Sequence, residues 1–265
     1  MPRIKLTIEY QGTHYVGWQL QHNGVSIQAR LMDAVEKLLG ERVPVEAAGR
    51  TDAGVHATGQ VVCLSTERVL PLKAYWMGLN SLLPEDIAVV RAEEVPAAFD
   101  PRRWSLGKRY RYRVSNRPSR SPLLRATHWE IFAPLDVEAL REGAEHLIGR
   151  HDFSSFRASD CQAAHAVREV RRVEVRGQSG RELSIAVEGT AFLKHMVRNL
   201  VGTLMEVGKG RRSPAWVAEV LAARERKRAG PTAPAHGLVL EEVFYGDGQP
   251  PRSPGGTADA GGEDE

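Results

Sequence analysis

The segment AGRTDAGVHATGQ, residues 48–60, sets the polar side chains Arg50, Thr51, Asp52 and His56 among Gly49, Gly54 and Gly59. Between two apolar runs, such a stretch reads as a loop whose backbone must approach another group closely. In an extended Arg-Thr-Asp, side chains two apart project to one side, so Arg50 and Asp52 can share a surface while the glycines leave room for a ligand. Aspartate is ionised at neutral pH. A fixed carboxylate in such a loop can attack an electrophilic carbon or stabilise a developing cation. Read by itself, it can equally cap its own turn.

Two other segments carry chemistry. Along the strand-like stretch 107–115, alternation puts Lys108, Tyr110, Tyr112 and Val114 on one face and Arg109, Arg111 and Arg113 on the other. Tyrosines on one face can pack in a core or offer a π-surface to a base, and an arginine row can be a solvated ladder or meet RNA. On a helix predicted over 191–207, Phe192, Leu193, Met196, Val197, Leu200 and Val201 form the apolar stripe. Arg198 lies nearly opposite the stripe's centre, free to cross a cleft or to remain a plain surface residue. His195 and Asn199 share its polar side, where they could hold RNA or water.

The elements that must position these groups follow a mixed pattern. RIKLTIEY at 3–10 alternates as a half-buried strand, and Ser26 caps a helix carrying Ile27, Leu31, Val35 and Leu38 that Gly40 ends. Extended pieces near 43–48 and 57–66 flank the glycine-rich loop. A helix opening at Pro71 is predicted to bury Leu72, Trp76 and Leu79, and the strand DIAVVRAEEV follows Pro84. The first half therefore reads β-α-β-β-α-β. The second repeats the plan loosely, with strands near 107–115, 126–133, 167–176, 181–188 and 238–245 and helices at 136–148, 191–207 and 214–226. The expectation is an α+β fold of two related units, 1–104 and 105–247, whose largely antiparallel sheet carries helices on one face and a catalytic RNA cleft on the other. The Gly, Pro, Ser and acid composition of 248–265 predicts a disordered tail.

Bulk composition narrows the class. The 265 residues are 42% hydrophobic and carry net charge +3; without 248–265 there remain 35 basic and 29 acidic residues, a body of +6. Residues 100–125 hold nine Lys or Arg against Asp100 alone, a footprint suited to a polyanion or to a solvated face. Cys63 and Cys161 make neither a disulfide framework nor a zinc spacing, and the nine histidines show no ligand spacing, so no metal is expected. With no signal-like run after Met1 and no apolar stretch near the roughly 20 residues that span a bilayer, the expected location is the cytoplasm, away from any membrane.

GRTDAGVHATGQV resembles the aspartate motif of the bacterial tRNA pseudouridine synthase A family. Further segments resemble the family in the same order: YQGTHYVGWQ (10–19), LNSLLPEDIAV (79–89), KRYRYRV (108–114), HDFSSFRA (151–158), FLKHMVRNLVGTLMEVG (192–208) and HGLVL (236–240). The resemblance covers about residues 3 to 245. It implies a cofactor-independent reaction that breaks the N1–C1′ bond of a tRNA uridine, turns the uracil and rejoins it through C5, in the anticodon arm at positions 38 to 40.

By the same resemblance Asp52 is the nucleophile, Tyr110 stacks on the target base, Arg198 pairs with the aspartate and Leu238 lines the pocket. Arg50 joins them as a substrate-binding residue through its place beside Asp52. Phe99, Arg102, Arg103, Lys108, Arg157, Cys161, Gln162 and Arg168 are then candidates for RNA contact, and a homodimer is expected. Departures from the family pattern fall at Gln11, at Asp100 and Arg103 within FDPRRW, and at Ala163 and Ala164 after DCQ, where Arg157 or Arg168 would have to compensate. Two rival classes remain on sequence grounds: a non-catalytic RNA-binding or RNA-folding module, and a glycoside hydrolase. The latter would need a second carboxylate about 5–10 Å away, and the motif offers none.

Overall fold

The computed structural model describes residues 1–246, so the predicted disordered tail at 248–265 lies outside the described residues. The first half is built from β1 (Arg3–Tyr10), α1 (Ile27–Leu39), β2 (Glu46–Ala47), β3 (His56–Ser65), α2 (Leu79–Leu82) and β4 (Ile87–Val95). The second half comprises β5 (Ser105–Ser115), β6 (Trp129–Glu130), α3 (Val137–Glu145), β7 (Gly149–Asp152), β8 (Val167–Gly177), β9 (Glu182–Gly189), α4 (Met196–Gly208), α5 (Trp216–Ala223) and β10 (Leu238–Tyr245). Among the described residues these strands form one mixed sheet in the order β4-β1-β3-β10-β5-β9-β8-β7, with β2 added to β3 and β6 to β5. Most pairs are antiparallel. The last strand lies in the middle, parallel to β3 through Val239–His56 and Leu240–Ala57 and antiparallel to β5.

Local sequence accounts for most elements. Ile4, Leu6, Ile8 and Tyr10 are buried along β1 as their alternation requires. Ser26 Oγ accepts from Ala29 N at 3.2 Å, a cap that contributes about 1 kcal/mol, and Gly40 closes α1 at φ 72°. The helix expected from Pro71 takes another form. A wide turn of π type at Ala74–Gly78 precedes α2 and rotates the face, so Tyr75 and Leu79 are buried while Trp76 is 48% exposed and Leu72 41%.

Three differences in the second half bear on the site. The strand expected over 126–133 shrinks to β6, and β7 forms where the sequence shows no apolar run, by pairing with β8. The helix expected from 191 begins only at Met196, because His195 sits in the left-handed region at φ 60° and ψ 2°. Residues 190–195 instead make a loop whose Lys194 carbonyl accepts from Ala158 N.

Along β5 the predicted alternation holds, with Tyr110, Tyr112 and Val114 buried. On the other face Arg109 reaches Glu188 at 2.8 Å and Glu242 at 3.2 Å, and Arg111 pairs with Glu241 and with Ser184. That row is a cross-strand ion ladder between β9, β5 and β10. Helix α4 runs along the tyrosine face: Lys209, just past its end, lies over Trp129, which packs edge-on against Tyr112. Helix α4 and the tyrosines therefore share one face of the sheet.

Candidate active site

The Asp52 loop is fixed from beneath by the segment after β1. Trp18 N donates to the Thr51 carbonyl at 3.0 Å, Gly54 N to the Tyr15 carbonyl, and the Thr51 hydroxyl meets Tyr10 Oη at 2.8 Å. Gly17 at φ 109° permits this approach, since a Cβ there would stand 2.6 Å from the Thr51 carbonyl oxygen. Gln60 Nε2 holds the Gly49 carbonyl at 2.9 Å. With Thr51 turned down into the core, Arg50 and Asp52 point outward, as the extended reading anticipates. Arg50 itself is exposed and makes no ion pair with Asp52.

The partner of Asp52 is Arg198, in the first turn of α4, with Nη1 3.3 Å from Oδ2. Arg198 is only 15% exposed along its side chain, against 28% for Asp52. Its Nε donates to the Ala233 carbonyl at 2.8 Å, and its own carbonyl accepts from Ala233 N at 3.1 Å. A strap from Ala229 to Gly237 thus fixes the guanidinium. The strap is clamped to α4 at Gly202, where a Cβ would fall 1.6 Å from the Pro231 carbonyl oxygen. Asn199, expected on a polar face, is fully buried: it donates to the Phe156 carbonyl and accepts from Arg226 and Thr232, a network that seats the strap and leaves no side chain for RNA.

Tyr110 lies 8% exposed on the same face, its ring edge-on to Phe192 at 5.2 Å. Burial, then the neighbouring Tyr10 and the Asp52 carboxylate, push its phenol above the ordinary value, so it stays protonated at neutral pH. Tyr10 is pushed up to about 12 by burial. Leu238 is buried opposite Tyr112 in the ladder, on the Tyr110 face, and Gly237 precedes it because a Cβ there would meet the Tyr112 ring at 2.6 Å. Tyr112 Oη in turn donates to the Pro234 carbonyl at 2.7 Å.

The expected RNA contacts divide. Arg102, Arg103 and Gln162 are exposed, and Asp100 orders the first two by accepting from both their backbone N–H groups at 2.8 Å. Lys108 packs against Gly49, and burial followed by the charge of Arg102 brings its ammonium down to about 8. Arg157 and Cys161 are half-buried, and Arg157 leans on the Ala163 carbonyl. Two of the candidates turn inward. Phe99 is 6% exposed, packed against Trp104 and Tyr245 with its carbonyl bonded to Arg3, so its ring belongs to the core. Arg168 turns back onto the carbonyls of His165 and Val167 and clamps its own loop. His195, Phe192, Thr51 and Tyr10 also border the site; spacing placed His195 on the polar side of its helix and Phe192 and Tyr10 on apolar faces, but their meeting at Asp52 and Tyr110 depends on contacts between distant segments.

A carboxylate braced by a largely buried arginine beside an aromatic ring, on a mixed α+β sheet, is an arrangement suited to an enzyme that works through an acidic side chain. Residues 6–102 and 144–246 match the family model described as tRNA pseudouridine synthase. The chain is 72% identical over 260 residues, 98% of each chain, to a tRNA pseudouridine synthase A of Myxococcus xanthus. It is 47% identical over 92% of its length to the Geotalea daltonii protein of that name, covering 100% of the latter, and 48% identical over the same shares to that of Geobacter sulfurreducens. It belongs to the bacterial tRNA pseudouridine synthase A family. Among the described residues no helix is long and apolar enough to cross a membrane, and no group of three or more His, Cys, Asp or Glu could hold a metal ion.

Proposed function

We propose that Asp52 is the nucleophile with which this tRNA pseudouridine synthase isomerises uridine in the anticodon arm, at positions 38 to 40, without a cofactor. The carboxylate attacks C1′ or C6 of a flipped-out nucleoside and the N1–C1′ bond breaks; C5 then bonds C1′, the bond to Asp52 breaks to return the free carboxylate, the C5 proton leaves and N1 gains one. The observation that carries this reading is the Arg198–Asp52 contact at 3.3 Å, which holds a carboxylate that is still 28% exposed. Arg198 orients it. Tyr110 supplies a π-surface to the base outside its stack, worth about 1–3 kcal/mol. Leu238 and Arg50 complete the substrate contacts.

The site draws Asp52 from the unit 1–104 and Tyr110, Arg198 and Leu238 from the unit 105–247, which favours a cleft at the junction of two related units. Arg102, Arg103, Lys108, Arg157, Cys161 and Gln162 line the route of the RNA in this reading. The enzyme works as a cytoplasmic homodimer, since a bent tRNA is larger than one subunit's cleft. The test uses tRNA bearing tritium at uridine C5: the wild type releases tritium, and Asp52→Ala binds the tRNA but releases none. Tritium release by Asp52→Ala at the wild-type rate would overturn the assignment.

A further inference from the structure

His195 stands at the reacting carboxylate without a part in the steps above. Its Nε2 is 3.6 Å from Asp52 Oδ2, the oxygen that Arg198 Nη1 reaches at 3.3 Å, while Oδ1 takes no hydrogen bond among the described residues. A left-handed backbone at φ 60° aims the ring there, a conformation that L side chains adopt rarely and that concentrates at functional positions. The side chain is 30% exposed, neither filling the core nor free in solvent. Neighbouring Lys194 is drawn off to Asp160.

We propose that His195 is a positioning residue for the reaction: with Arg198 it occupies Oδ2 of Asp52 and leaves Oδ1 as the attacking oxygen, and its protonation closes an ion pair that withdraws the carboxylate from the nucleoside. The inference rests on Asp52 being the nucleophile. Neutral imidazole offers one N–H donor, and in the tautomer with its proton on Nε2 that donor would face Oδ2 across 3.6 Å. The charged groups around the ring are Asp52 on the catalytic loop, Arg198 on α4, Lys194 on its own loop and Asp160 on the turn after Ala158. Burial lowers the imidazole's pKa, Asp52 opposes this, and Arg198 and Lys194 lower it further. The ring is therefore neutral at physiological pH and takes its proton only in more acid solution.

The test is the pH dependence of kcat and KM on tRNA for the wild type, His195→Gln and His195→Asn. Glutamine keeps a donor of similar reach that cannot titrate; asparagine tolerates the left-handed backbone but falls short of Asp52. The wild type is expected to lose about tenfold in kcat between pH 7.5 and 5. His195→Gln should stay within about threefold of wild type at pH 7.5 and lack that acid limb, while His195→Asn should lose about 10–100-fold in kcat with KM little changed. An acid limb in His195→Gln that superimposes on the wild type would overturn the proposal, as would a change in His195→Asn confined to KM. Melting curves show whether His195→Asn folds, and if it does not, the glutamine profile alone decides. Activity retained by Asp52→Asn would remove the nucleophile itself, a failure distinct from either histidine result.

Discussion

One oxygen of Asp52 is committed to Arg198, and the energetic consequence is specific to the reaction. If Asp52 is the nucleophile as proposed, a largely buried guanidinium that orients it acts mainly in the transition state, so Arg198→Ala is expected to lower kcat by about 100-fold, comparable to removing a preorganised donor elsewhere. Affinity for tRNA, measured by filter binding, should change by less than about threefold, because phosphate contacts dominate it. Equal losses in both would place Arg198 in general binding. Lysine at 198 should not rescue, because it cannot donate to both the Ala233 carbonyl and Asp52 from a planar fork. At Tyr110 the phenol is buried and held protonated. Tyr110→Phe keeps the ring against Phe192 and should retain most single-turnover activity, whereas Tyr110→Ala loses the stacking surface, about 1–3 kcal/mol. A phenylalanine variant as inactive as the alanine one would show that the hydroxyl itself reacts.

The strap from Ala229 to Gly237 is the element that turns Arg198 into a fixed group. Besides its bonds to Arg198 and Asn199, it is held at Gly202 on α4, at Tyr112 on β5, and at His56 at the start of β3, whose Nε2 meets the His236 carbonyl at 2.9 Å. Gly202→Ala forces the strap off the helix and should cost about 1–3 kcal/mol of stability, seen as a lower Tm, with a loss of kcat larger than the loss of tRNA affinity. An unchanged kcat in a folded variant would separate the strap from the site. His56 adds a proton linkage. Its Nδ1 accepts from Gly12 N at 3.0 Å, so Nε2 carries the proton and the ring must be neutral. Burial lowers its pKa more than the backbone hydrogen bonds to His236 and Ala126 raise it, and the charge of Arg113 lowers it further. The unfolded imidazole is then the first to protonate on acidification. Stability is full above about pH 6.5, the unfolded value, and falls as pH drops below it. Tm should decline from pH 7.5 to 5.5 in the wild type and decline less in His56→Gln.

At the scale of the molecule, the site exists because two halves of the chain share one sheet. β10, the last strand described, enters between β3 and β5, and its parallel contact with β3 is limited to Val239–His56 and Leu240–Ala57. Gly59 lets that seam close, since a Cβ there would lie 2.1 Å from the Glu241 carbonyl oxygen. Gly59→Ala is therefore expected to open the seam and abolish activity. Hydrogen exchange should quicken at Val239 and Leu240 before it does in β1 or β8. Uniform loss of protection would mean the seam is no weaker than the rest of the sheet.

The sequence by itself determined what depends on neighbours in the chain. Alternation placed β1 and the two faces of β5, Ser26 and Gly40 bounded α1, and the glycines around Asp52 marked a loop carrying an exposed carboxylate. The order of motifs was enough to identify the family. Tertiary structure decided what depends on contacts between segments far apart in sequence. Helical periodicity left Arg198 free to cross a cleft or to stay a plain surface residue and only the family resemblance paired it with Asp52, whereas the fold sets the two 3.3 Å apart; Phe99 and Asn199 are interior, and α4 starts at Met196 because His195 adopts a left-handed backbone that helical periodicity does not record. Helix and strand periods report which side of an element is apolar. They carry no information about which distant strand completes the sheet, and here that strand, β10, brings the two halves of the site within 3.3 Å of each other.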